Sequence, residues 1–106
     1  MDHRELAAEL FLSDCNCAQA VLEAFSDVTG LEKSFAAKLA SSFGGGMGRM
    51  REVCGAVSGM LMVAGLLYGY DDPGENDVNK KAHYQLVQNL AGQFREEIGS
   101  ICLLYT

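Results

Sequence analysis

The chain has 106 residues, 49% hydrophobic and 21% charged, with 12 glycines, one proline, no tryptophan and four cysteines. That length fits one domain spanning residues 1–106, large enough to bury about two thirds of its extended surface without disulfide staples. Eight Lys and Arg against 14 Asp and Glu give a net charge of −6 spread along the chain, so no basic face is offered to nucleic-acid phosphates or anionic lipid.

The first five residues, Met1-Asp2-His3-Arg4-Glu5, are polar, with no basic-then-apolar region ending in a small-residue cleavage site. The expected setting is a reducing cytoplasm, where recurring thiols point to metal binding or redox chemistry more than to a disulfide framework. The plain alternative is that some cysteines serve as small buried apolar residues.

Nearly every segment reads with helical period. In the first, Leu6, Ala7, Leu10 and Phe11 share a face and leave Arg4, Glu5 and Glu9 to solvent. Ser13-Asp14 reads as a stop and a new N-cap. The second helix is expected from about Asn16 to Val28, with Ala18, Val21, Leu22, Phe25 and Val28 on one face and Gly30 closing it in a left-handed cap. The third carries Phe35, Ala36, Leu39, Ala40 and Phe43 and stops at Gly44-Gly45-Gly46, since glycine costs a helix about 1 kcal/mol per residue relative to alanine. The fourth, Arg51 to about Tyr68, is the least polar. Asp71-Asp72-Pro73-Gly74 reads as a turn, and the last helix runs from about Asp77 to Glu97, striped by His83, Val87, Leu90, Phe94 and Ile98. The expected fold is all-α: a compact bundle of about five helices around a central Gly-rich apolar helix.

Within that central helix, Val53 to Tyr70 is an 18-residue run without a charge, at the lower edge of membrane-spanning length. Its glycines and the amphipathic helices around it favour a buried central helix over membrane insertion. Gly55 and Gly59, four apart, suit close approach of a neighbouring helix. The loop Phe43-Gly44-Gly45-Gly46-Met47-Gly48 lacks both the dinucleotide spacing and the Gly-Lys-Ser/Thr ending of phosphate loops. With Arg49 and Arg51 beside a helix start, it reads either as an anion site or as a tight connection.

Cys54 falls in or near the first turn of a helix that begins near Arg51, where the helix dipole and the arginines favour a thiolate. Against this, Cys54, Val57, Leu61, Ala64 and Tyr68 form one face, and a thiol buried there would be inert. Cys15 and Cys17 are two apart, about 200° around a helix, so their sulfurs diverge unless Cys15 precedes the helix. On this reading Cys17 faces inward with Val21 and Cys15 tends toward solvent. Cys102 follows Ile98-Gly99-Ser100-Ile101, where a reversal would fold it back over the bundle. The four positions match no zinc-ligand spacing, and His83 on its apolar stripe reads as a core residue.

Four segments in order carry a resemblance: Asn16-Cys17-Ala18-Gln19-Ala20-Val21; Phe43-Gly44-Gly45-Gly46-Met47-Gly48; Cys54-Gly55-Ala56-Val57-Ser58-Gly59 with Gly65-Leu66; and Phe94 to Cys102. They resemble the C_GCAxxG_C_C family of small bacterial and archaeal proteins, to which a redox role is assigned. The resemblance carries the family's characteristic cysteines onto Cys17, Cys54 and Cys102. A further cysteine usual after the last is absent from Leu103-Leu104-Tyr105-Thr106, and Cys15 is a candidate to replace it. A related domain in a multihaem cytochrome with an iron–sulfur centre adds a cluster to the options. No Cys-x-x-Cys-His haem site is present.

Three functions follow. The first is an oxidoreductase using thiol–disulfide chemistry, with Cys54 as nucleophile and Cys17 or Cys102 as resolving partner. The second is an electron-transfer module whose cysteines hold an iron–sulfur cluster or another thiophilic metal, four thiolates being available only if Cys15 counts. The third is a helical interaction protein whose cysteines only pack. A redox partner protein is implied by the first two, and a symmetric homodimer suits the Gly-rich helix.

Overall fold

The computed structural model describes residues 2–69 and 77–98. In chain order these form α1 (His3–Leu12), α2 (Cys17–Ala24), α3 (Ser26–Thr29), α4 (Lys33–Ala40), a 3₁₀ turn (Ser41–Phe43), a glycine segment (Gly44–Met47), α5 (Gly55–Tyr68) and α6 (Asp77–Ile98), with no strand among the described residues. The fold is all-α, as the periodicity implied. The Asp71–Gly74 turn and Cys102 lie outside the described residues.

Each helix start has a local cause. Asp2 caps α1, its Oδ1 accepting the Glu5 N–H at 2.8 Å. Asn16 caps α2 through a reciprocal box: its Oδ1 accepts the Gln19 N–H at 2.8 Å, while Gln19 Oε1 accepts the Asn16 N–H at 2.9 Å. The cap is thus Asn16, not Ser13-Asp14. Asp14 instead takes the left-handed conformation, φ 79°, that turns the chain out of α1, a role Asp tolerates better than most residues.

The expected helix from Asn16 to Val28 is broken at Phe25 (φ −101°, ψ 15°), and Gly30 closes the second piece at φ 78°. The break has a visible consequence. The Phe25 ring stacks on His3 with centroids 4.2 Å apart, and His3 Nε2 meets Asp27 Oδ1 at 2.8 Å, so α1 is pinned to the junction of α2 and α3.

Helices α1, α4 and α5 all pack on α2, and α6 lies against α5. The α2–α5 pair forms the centre, and the contact is close because small residues face each other. Ala18, Leu22, Ala36, Ala40 and Val63 make the main buried cluster, with Phe25, Leu31, Phe43 and Met62 packed around it. A Cβ on Gly59 would stand 2.9 Å from the Ala18 carbonyl oxygen and 3.0 Å from Val21 Cβ, so the glycine admits the α2 backbone. A core built largely of alanine leaves larger apolar side chains outside: Phe35, Leu39 and Tyr68 are all exposed, Tyr68 despite sharing the expected Cys54 face. No helix among the described residues is long and apolar enough to cross a membrane.

Candidate functional site

Two of the predicted cysteines line one cleft at the start of α5. Cys17 is the first residue of α2, placed there by the Asn16–Gln19 box. Cys54 is the N-cap of α5, with φ −54° and ψ 133°. Gly55, the residue after Cys54, packs against Cys17: a Cβ on it would overlap the Cys17 sulfur and stand 2.9 Å from the Phe43 carbonyl oxygen and 3.2 Å from the Ala18 nitrogen. The Cys17 sulfur therefore rests on the backbone of the residue next to Cys54.

Helix α5 begins four residues later than the expected Arg51, and the intervening backbone explains why. Gly45, Gly46, Met47, Gly48, Arg49 and Arg51 all have φ between 61° and 78°. A run of left-handed residues cannot enter a right-handed helix, and for each non-glycine it costs about 1–2 kcal/mol. The coil is closed by bonds from the Arg49 N–H to the Gly44 carbonyl (3.1 Å), from Arg51 to Gly45 (3.3 Å) and from Glu52 to Gly46 (3.1 Å). Asn16 ties this coil to α2: its Nδ2 donates to the Ser41 carbonyl at 3.2 Å, and a Cβ on Gly44 would fall 2.5 Å from the Asn16 side chain. Gln19 Nε2 donates to the Ala37 carbonyl at 3.0 Å and fixes α2 to α4.

The result is a cleft of about 620 Å³ lined by Phe11, Asn16, Cys17, Ser41, Gly44, Gly45, Gly48, Arg49, Arg51 and Cys54. Among the described residues, both thiols, Arg49 and Arg51 line it, and no carboxylate does. Arg49 lies across the loop, its Cγ 2.8 Å from where a Gly45 Cβ would be. A shallower apolar groove of about 310 Å³, lined by Ala7, Ala8, Phe11, Cys17, Ala20, Val21 and Ala56, adjoins it at Phe11 and Cys17. The glycine loop, left open in sequence between anion site and connection, is thus both a tight coil and one wall of the cleft.

Cys15 is elsewhere. Its thiol donates to Glu23 Oε2 at 3.2 Å, and it is half-buried rather than turned to solvent. Burial first, then the hydrogen bond and negative charge of Glu23, push this thiol above its ordinary range. Cys15, Cys17 and Cys54 are all free thiols. Among the described residues no three His, Cys, Asp or Glu side chains converge in a way that would hold a metal. The cleft supplies two of the four thiolates an iron–sulfur cluster takes, so these residues alone do not fit one. Asn16 and Phe11 were not expected in the site from the sequence, although the Asn16-x-x-Gln19 spacing was a readable signal for the first, and Arg49 and Arg51 were expected only as flanks of a candidate anion site.

An all-α bundle presenting two thiols in one cleft is the class that fold and site define. Residues 15–102 match the family described as "Putative redox-active protein (C_GCAxxG_C_C)", and the chain belongs to it. A general redox role follows from that membership. No curated protein and no solved structure matches the chain.

Proposed function

We propose that the protein is a thiol–disulfide redox protein in which Cys54 is the nucleophile and Cys17 the resolving thiol. The observation that carries this reading is the seat of the Cys17 sulfur on Gly55, one residue from Cys54, within the same cleft. Consecutive α-carbons are about 3.8 Å apart, so the Cys17 sulfur sits one residue from the Cys54 α-carbon, and the proposed bond requires the two cysteine α-carbons to come within about 7 Å of each other. Among the described residues the Cys54 side chain makes no capping hydrogen bond to α5, which leaves it available for attack. Cys17 is packed from below and suits the second step. Oxidation joins the two sulfurs with loss of two protons and two electrons, which pass to a partner.

Cys102 enters as a third thiol by its place in the family pattern. One domain of residues 1–106 in a reducing cytoplasm, exchanging electrons with a redox partner protein and forming a homodimer, completes the reading. The excess of acid over base sets nucleic acid aside.

The test is mass mapping of the fully reduced chain after mild oxidation. A Cys17–Cys54 cross-link should appear, be absent in Cys54→Ser and Cys17→Ser, and persist in Cys15→Ser. Oxidation that yields only cross-links through Cys15, or none, would exclude the reading.

A further inference from the structure

We propose that α6 is a dimerisation helix, its apolar stripe pairing antiparallel with the same stripe of a second copy of this chain. The inference gives the homodimer a surface and a geometry and does not draw on the thiol chemistry. No α6 residue is among the described residues that line the cleft, so the pairing surface and the redox site are separate.

Packing is the first support. Helix α2, with α1, α4 and α5 around it, buries five of its eight residues. Helix α6 has 22 residues against 14 in α5, about 33 Å against about 21 Å, and among the described elements it rests mainly on α5. None of residues 80–96 is buried; His83, Leu86, Val87, Leu90, Ala91 and Phe94 are all half-buried. At about 100° per residue these six positions cover an arc of about 140°, wider than the seam a single facing helix covers. A stripe of that width, left half-wet along its length, gains by taking a second helix that removes the rest of its apolar surface from water.

The second support identifies that helix. A twofold interface sets one patch against its own reverse, so the patch must be its own complement. Helix α6 meets that demand. Paired antiparallel about the midpoint between Gln88 and Asn89, His83 falls opposite the partner's Phe94, Leu86 opposite the partner's Ala91, and Val87 opposite the partner's Leu90, so every stripe position meets another. In the sequence, positions 80, 83, 87, 90, 94 and 97 alternate steps of three and four, the spacing of a coiled-coil seam. Its outermost members are Lys80 and Glu97, opposite in charge. Antiparallel pairing sets each against the other at both ends, whereas parallel pairing would set Lys80 on Lys80 and Glu97 on Glu97. A surface made for a different protein has no need of that symmetry in position and sign at once.

Sedimentation equilibrium of the full chain in reductant, over a series of concentrations, tests the proposal. The unaltered chain should reversibly reach twice its 11.4 kDa mass. At low salt Lys80→Glu and Glu97→Lys should each raise the dimer dissociation constant by roughly 10-fold, because each turns both end contacts from attraction to repulsion. The double exchange Lys80→Glu/Glu97→Lys should bring it back to within about 3-fold of the original. Each single change also sets its new charge at the helix end that favours it, acid near the N-terminus and base near the C-terminus, so weaker pairing is not the result of a weaker helix. High salt should shrink the effect of both single changes. A chain that stays monomeric throughout the series, or single variants that pair as tightly as the unaltered chain, would overturn the proposal. So would weakened single variants that the double exchange does not restore, or assemblies larger than two. Cys17→Ser/Cys54→Ser should dimerise as the unaltered chain does. Failure of the dimer therefore leaves the thiol–disulfide reading to its own mass mapping, and failure of that reading leaves the dimer standing.

Discussion

Cys15 shows how the neighbours of a residue set its character. The Cys15 thiol is half-buried and gives its hydrogen to the buried Glu23 carboxylate, so its ionised form is disfavoured by burial and by an adjacent negative charge. Alkylation followed against pH should find Cys15 reacting only at higher pH than an ordinary free thiol. Glu23→Gln should move its profile to lower pH, though not to that of a free thiol, because burial persists; an unchanged profile would show that Glu23 is not the cause. A second residue pair gives an acid-side signature. The hydrogen bond from His3 holds the Asp27 carboxyl below its ordinary value of 3.8. A depressed carboxyl stabilises the fold above its unfolded value, and the contribution is lost as pH falls through the folded value. Carboxyl-carbon NMR should therefore find Asp27 titrating below 3.8 in the native chain. In His3→Ala it should return toward that value.

At the scale of elements, α5 carries glycines of opposite meaning. Gly55→Ala sets a methyl against the Cys17 sulfur and against backbone atoms of Phe43 and Ala18. Overpacking of that kind costs about 1–3 kcal/mol, which urea unfolding should register. A Cβ on Gly65 meets nothing within 4 Å, so Gly65→Ala should stabilise by up to about 1 kcal/mol through helix propensity alone. Equal effects at the two positions would refute the close α2–α5 contact. The helices themselves were legible in the sequence because apolar residues recur with their period, and the glycine spacing at 55 and 59 foretold the close approach. The start of α5 was not legible, because nothing in the identity of Met47, Arg49 or Arg51 announces a left-handed backbone; only the coil that Asn16 and Gly44 help to close holds them there. Of the site, Cys17 and Cys54 were found from the motif pattern. Their meeting point was not, since it depends on how α2 crosses α5. The motif's other members divide by role: Asn16 and Gln19 cap and tether α2, and Gly55 and Gly59 admit it.

Across the whole molecule, a Cys17–Cys54 bond would join the two helices at the centre of the fold, so redox state and stability become one thermodynamic quantity. The bond closes a loop of roughly 38 residues, and chain entropy alone then makes the oxidised form about 4 kcal/mol more stable than the reduced form. The same cycle requires the folded pair to hold its disulfide more tightly than the two thiols do in the unfolded chain. At about 30 mV for each 1.4 kcal/mol, the reduction potential of the native couple should lie roughly 85 mV below that of the urea-unfolded chain. Both quantities are measurable independently, the first from urea unfolding of each redox form and the second from redox-buffer titration with and without urea. They must agree, because they close one cycle. Oxidised and reduced forms that unfold at the same urea concentration would mean that the helices resist the bond by as much as the closed loop favours it. The native couple would then share the reduction potential of the unfolded chain, and the seat of Cys17 on Gly55 would hold the thiols in one cleft without favouring their union.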